Sequence, residues 1–185
     1  SAPFVTGVWA LLTERYKQLH ANAIPKSALL KAIICNSSED RGNAGPDYSY
    51  GFGLINPRKA VEAIENNRYF TGSLSTSGIT SQIITVPTGA RQLKVMLYWH
   101  DKEGSPLAAK ALVNDLDLKV TDGATTFEPW ILNPAPGSVN TPATRGIDRI
   151  NNIEQVTDTL VQLLQSIDER HFNQKPRADK WSIAQ

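Results

Sequence analysis

The sequence is poor in cysteine, in long apolar runs and in any excess of one charge, and each shortage removes a class of protein. One cysteine, Cys35, occurs in 185 residues, so an internal disulfide and a cysteine-based zinc site are both excluded. Its setting, the apolar run LLKAIICNSS, marks it as a small buried hydrophobe. Nineteen Lys and Arg against eighteen Asp and Glu leave a net charge of +1, too little to draw the chain to nucleic acid or to an anionic membrane. No stretch approaches the roughly 20 apolar residues that cross a bilayer, and the opening residues do not read as a charged-then-apolar leader. With 41% apolar and 20% charged residues the composition is that of a globular protein and not of a disordered one. The length admits one domain or two small ones.

What is present falls into three textures. Residues 1–68 read as helix, helix, hairpin, helix. In PFVTGVWALLTERYKQL the residues Val5, Val8, Leu12, Tyr16 and Leu19 recur at helical spacing, and Pro3 suits a first turn, where its missing N–H costs nothing. A second helix runs through KSALLKAIICNS. In GPDYSYGFGLINPRKAVEAIENN, Gly51 and Gly53 alternate with aromatics as in a tight hairpin, and Asn56-Pro57 supplies an N-cap and first-turn pair for a third helix. Residues 69–156 switch to a period of two: Leu93, Val95, Leu97 and Trp99 share one face, as do Leu112, Leu116, Leu118 and Val120. With SQIITVP, TTFEPWIL and INNIEQVT these make five or more half-buried strands, hence an antiparallel β-sandwich of jelly-roll type, entered through a linker NRYFTGSLSTSG. Residues 157–185 contain none of the twelve glycines, and Leu160, Leu163, Leu164 and Ile167 predict an amphipathic helix capped by Thr157.

The first texture resembles a known family. SAPFVTG is similar to the segment that follows the nucleophile in subtilisin-like serine peptidases, Gly-Thr-Ser-x-[Ala/Ser]-[Ala/Ser]-Pro-x-Val-x-Gly, with Ser1 and Ala2 on the two small positions and Pro3, Val5 and Gly7 on the rest. GPDYSYGFGLINPRKAV resembles the same family's closing hairpin and last catalytic-domain helix, and LKVMLYWHD, ALVNDLDLKV and RGIDRINNIEQV resemble the strands of the C-terminal β-sandwich that some subtilases carry. The resemblance implies an α+β chain: the helical and hairpin remnant of an α/β catalytic domain, then the sandwich, then the helix. It also implies a secreted or cell-envelope endopeptidase acting on protein or peptide substrates, whose nucleophile lies two positions upstream of Ser1. The catalytic aspartate, histidine and oxyanion-hole asparagine precede that nucleophile in the family, so no catalytic residue is expected in these 185. The N-terminal catalytic portion becomes the implied intramolecular partner. The physical logic of the motif is independent of the family: a serine at the start of a buried helix has backbone N–H groups and the positive dipole end facing a developing oxyanion, and small neighbours let substrate approach.

His20, His100 and His171 lie in three separate regions, and the adjacent His100-Asp101 pair points to opposite faces of a strand end, so no triad is expected from them. Aspartate is depleted in strands, which makes NDLD unusual. Asp115 and Asp117 share a face, and Asp101 and Glu154 lie in segments that can neighbour them; Asp101, Asp115 and Asp117 form an oxygen-rich set suited to calcium, the alternative being a solvated pair balanced by Lys110 and Lys119. A calcium- or ligand-binding sandwich module is therefore the second functional reading. Trp99, Trp130, Tyr98 and Phe127 raise a carbohydrate platform, against which Trp99 falls in step with core residues. The tail FNQKPRADKWSIAQ resembles the opening of DinB-like four-helix bundle proteins, through Pro-x-x-x-Lys-Trp-Ser-Ile at the start of a second helix; that resemblance implies a third reading, part of a metal-dependent bundle joined near Val156-Thr157.

Overall fold

The computed structural model describes every residue except 1, 76, 77, 124, 160–168, 176–180 and 185, and describes only the backbone of 159, 169–175 and 181–184. Three helices open the chain. Helix α1 (Ala2–Leu19) ends where Ala21 and Asn22 take positive φ (49° and 65°) and the Asn22 N–H bonds back to the Lys17 carbonyl at 2.9 Å. Helix α2 (Ser27–Ser37) buries Ala28, Leu29, Leu30, Ala32, Ile33 and Ile34, so it is apolar nearly all round and forms the centre of this unit. Helix α3 (Pro57–Glu65) starts as the sequence predicts, with the Asn56 side chain accepting the Lys59 N–H at 3.0 Å and proline in the first turn.

The hairpin between α2 and α3 is tighter than an ordinary ladder. It consists of two single bridges, Asp47 to Gly51 and Glu39 to Leu54. Asp47 organises the tip by accepting the N–H groups of Asn43, Ser49 and Tyr50, and these bonds hold its carboxyl below the usual range. Val8 and Leu12 of α1, the apolar face of α2, and Ala60 and Ile64 of α3 pack into one core with Tyr98.

Among the described residues the strands form two four-stranded antiparallel sheets and one small ribbon. Strands β1 (Tyr69–Gly72), β3 (Gln92–Trp99), β8 (Ile153–Thr159) and β10 (Trp181–Ala184) make the first, in the order β1-β10-β3-β8. Strands β2 (Thr80–Thr85), β4 (Asp117–Thr121), β5 (Thr126–Phe127) and β9 (Glu169–Lys175) make the second, in the order β2-β9-β4-β5, while β6 (Trp130–Ile131) pairs with β7 (Thr144–Arg145). A second core draws Val95, Leu97, Trp99 and Val156 from the first sheet and Ile84, Leu118 and Val120 from the second, with Leu112 and Leu116 from the approach to β4.

The α+β class is as expected, and several finer expectations are corrected. The linker begins with a strand, β1. The strand expected from Leu112 shrinks to Asp117–Thr121, because the Asp101 carboxylate accepts the Val113 and Asn114 N–H groups and holds that segment out of the ladder. TTFEPWIL divides into β5 and β6, which join different partners; Pro129 between them has no N–H to give a ladder. The helix expected on Leu160, Leu163, Leu164 and Ile167 falls outside the described residues. The described parts of the tail are strands: β9 lies between β2 and β4, and β10, which includes the Trp-Ser-Ile of the bundle-like motif, lies between β1 and β3. Strands in these positions satisfy the backbone groups of four neighbours.

Candidate functional site

Helix α1 presents its first turn to solvent. Ala2, Pro3 and Phe4 are exposed, Gly7 has open space where a side chain would stand, and Ser1 lies outside the described residues. No described histidine stands free to serve a nucleophile there. His20 donates from Nδ1 to the Tyr16 carbonyl at 2.9 Å and accepts the Tyr69 hydroxyl on Nε2 at 2.8 Å, while its ring stacks on Tyr16 with centroids 3.9 Å apart. Burial, with Tyr16 alongside, pushes the Tyr69 phenol up to about 12, so it remains a donor at any ordinary pH. This bond ties α1 to β1, and Tyr69→Phe is expected to cost about 1 kcal/mol in urea unfolding; an unchanged midpoint would show that water replaces it without loss.

The structure does place one hydroxyl against a histidine that sequence reasoning did not pair. Ser27 Oγ, in the first turn of α2, lies 2.7 Å from His100 Nε2. The residues are 73 positions apart, and no periodicity signals such a contact. A nucleophile and base need a third group to orient the base, and Asp101 does not supply it. Both its oxygens are taken by the backbone of Lys102, Val113 and Asn114 and by the Asn114 amide. His100 instead meets the edge of the Tyr98 ring. Among the described residues Ser, His and Asp are thus present without forming a triad. His171 falls in the stretch described by backbone alone.

The proposed calcium residues separate in the same way. Asp115 and Asp117 do come together, bridged by Arg149 at 3.1 and 3.2 Å, with Lys110 3.4 Å from Asp115. Asp101 stays with the loop. Glu154, 36 residues beyond Leu118, is almost fully buried and accepts the Leu118 N–H on Oε2, which bonds the two sheets to each other, while Oε1 has no hydrogen-bond partner among the described residues. Burial, reinforced by Asp117, Asp148 and Asp115, pushes its carboxyl up to about 9. Asp148 closes a tight turn on Ile150 and Asn151. Among the described residues no three acidic, histidine or cysteine side chains are arranged to hold a metal ion; the guanidinium of Arg149 supplies the positive charge between Asp115 and Asp117.

The aromatic residues do not form a carbohydrate platform. Trp99 is fully buried and donates Nε1–H to the Asn114 carbonyl. Tyr98 is buried against the helices. Trp130 carries the Arg145 guanidinium 3.6 Å from its ring centroid, and a Cβ on Gly45 would stand 2.9 Å from its ring carbons, so both groups occupy surface a sugar would need. Cys35 is half-buried rather than buried, and desolvation pushes its thiol above the ordinary value against the opposing charge of Lys31.

The family model described as the subtilase family matches residues 1–53, which cover α1, α2 and the hairpin through Gly53. A search of curated proteins found no match. The match supports a subtilisin-like relationship for this part of the chain. Among the described residues no helix is long and apolar enough to cross a membrane.

Proposed function

We propose that this chain is the C-terminal part of a subtilisin-like serine endopeptidase: residues 1–68 form the last helices and hairpin of the catalytic domain, and residues 69–156 form the core of a β-sandwich packed on it. The observation that carries the reading is the coincidence of the family match over residues 1–53 with a folded helix-helix-hairpin unit whose glycines sit where that hairpin needs them. In this reading the parent hydrolyses peptide bonds through a serine acyl-enzyme, the nucleophile lies two positions before Ser1, and these 185 residues supply no catalytic group. The exposed Phe4, Val5 and Leu11 of α1 are the apolar surface that the remainder of the catalytic domain covers. The family's habit of secretion makes the cell exterior or envelope the working location.

The test is covalent. A serine-directed fluorophosphonate is expected to leave the chain unlabelled by intact mass. Stoichiometric labelling at Ser1 would overturn the alignment, and labelling at Ser27 would show that the Ser27-His100 pair is a working dyad and the chain a hydrolase in its own right.

A further inference from the structure

Two adjoining cavities, of about 260 and 450 Å³, open where the C-terminal ends of α2 and α3 meet the end of β2, the start of β3 and the loop between them, and Arg68, Gln92 and Lys94 line both. Clefts between structural units are where ligands are commonly held. The walls are rich in donors and short of acceptor charge. Lys59, Arg68 and Lys94 face one acid, Glu62, which lies 3.6 Å from Arg58 on the same helix. Lys59 stands 3.6 Å from Glu39, and Lys94 gives one of its three N–H groups to the carbonyl of the buried C-cap residue Ser38 at 2.9 Å, meeting the C-terminal end of α2. The other two N–H groups of Lys94 and the whole Arg68 guanidinium have no partner among the described residues. Burial, with Lys59 alongside, pulls the Lys94 pKa below the ordinary lysine value, while Asp40 and Glu39 act in the opposite direction.

We infer that this cleft binds a compact oxyanion, a phosphate or a carboxylate-bearing small molecule, between the guanidinium of Arg68 and the ammonium of Lys94. Arg68 presents a planar fork suited to two oxygens at once, Lys94 a partly desolvated point charge, and the amide of Gln92 a further donor on the same wall. Capping of helix ends accounts for one Lys94 bond and for none of Arg68, so the unspent donors are what single out the cleft. An anion entering it gains from both cations without breaking an existing pair.

The experiment uses the full chain with two probes, inorganic phosphate and citrate, against sodium chloride at matched ionic strength. Isothermal titration is expected to show a saturable site for at least one probe, and that probe to raise the melting temperature above the chloride control. Saturation by phosphate alone assigns a phosphate-bearing ligand; saturation by citrate alone assigns a carboxylate. Arg68 is exposed, so Arg68→Ala is expected to melt with the parent in chloride and to bind the probe at least about tenfold more weakly. Arg68→Lys, which keeps the charge and loses the fork, should fall between the two. The inference is overturned if neither probe saturates, or if Arg68→Ala retains the parent's affinity, since stabilisation by salt exclusion from the surface would be indifferent to that side chain.

Discussion

Gly53→Ala is expected to destabilise the helical unit by about 3 kcal/mol or more, among the largest effects available to a single methyl group. Gly53 has φ of +103°, and a Cβ there would stand 2.0 Å from the Glu39 carbonyl oxygen and 2.6 Å from its carbon. The obstacle is backbone, which cannot swing aside. That backbone belongs to the bridge in which Glu39 and Leu54 exchange two hydrogen bonds of 2.8 Å. Separating them also withdraws Glu39 Oε1 from the Asn56 amide at 2.9 Å, and Asn56 is the N-cap of α3. Gly51 is the matched control. It too has positive φ, +60°, with nothing within 4 Å of the built Cβ, so Gly51→Ala should cost only the left-handed penalty of about 1 kcal/mol. Urea unfolding of the two variants decides the matter: equal losses would mean that the close approach at Gly53 is not a constraint.

Glu154→Gln is expected to stabilise the protein increasingly as pH rises. The folded carboxyl, pushed up to about 9, keeps a proton that the unfolded chain releases near its ordinary 4.5. The contribution of this proton is complete below about 4.5 and is lost progressively as pH climbs to about 9, with a slope approaching 1.4 kcal/mol per unit inside that window. Glutamine does not titrate. Its carbonyl oxygen can still accept the Leu118 N–H, and its NH₂ would replace the unpartnered Oε1 with donors facing Asp115, Asp117 and Asp148. Stability curves at pH 5 and 8.5 should therefore diverge, with the variant ahead at pH 8.5 by on the order of several kcal/mol. Parallel curves would show that Glu154 ionises within the folded protein as easily as outside it.

Much of the first unit was legible in the sequence because its signals are local. The Asn56-Pro57 cap, the helical spacing of Val8 and Leu12, and the glycine pair of the hairpin each act over a few residues, and the structure uses them as written. The reading of β3 shows where that stops. Alternation of Leu93, Val95, Leu97 and Trp99 predicts a strand with one buried face, and Val95, Leu97 and Trp99 are indeed fully buried. Met96 and Tyr98 are buried as well, since α2 covers the other side and Tyr98 joins the helical core. The strand is therefore covered on both faces, and it holds the two units together.

The candidate site divides along the same line. The period of a strand put Asp115 beside Asp117, although only Asp117 lies on β4 and Arg149 is what joins the two. That Asp101 would turn into a loop, that Arg149 would lie between the other two, and that Glu154 would be sealed beneath them depended on which strands pack across the two sheets.

By itself, then, the sequence determined the three helices of the first unit and the Asn56 cap of α3, the tight hairpin, the change to a period of two at residue 69 and the subtilase-like character of residues 1–53, all through interactions spanning a few positions, whereas Thr157, expected to cap a tail helix, lies in β8. The tertiary structure alone decided that His20 meets Tyr69, that Ser27 meets His100 and that Glu154 loses its water. Each of these contacts joins residues 36 to 73 positions apart, and at such separations a contact is set by how whole faces close on one another and not by the propensities of the residues that touch.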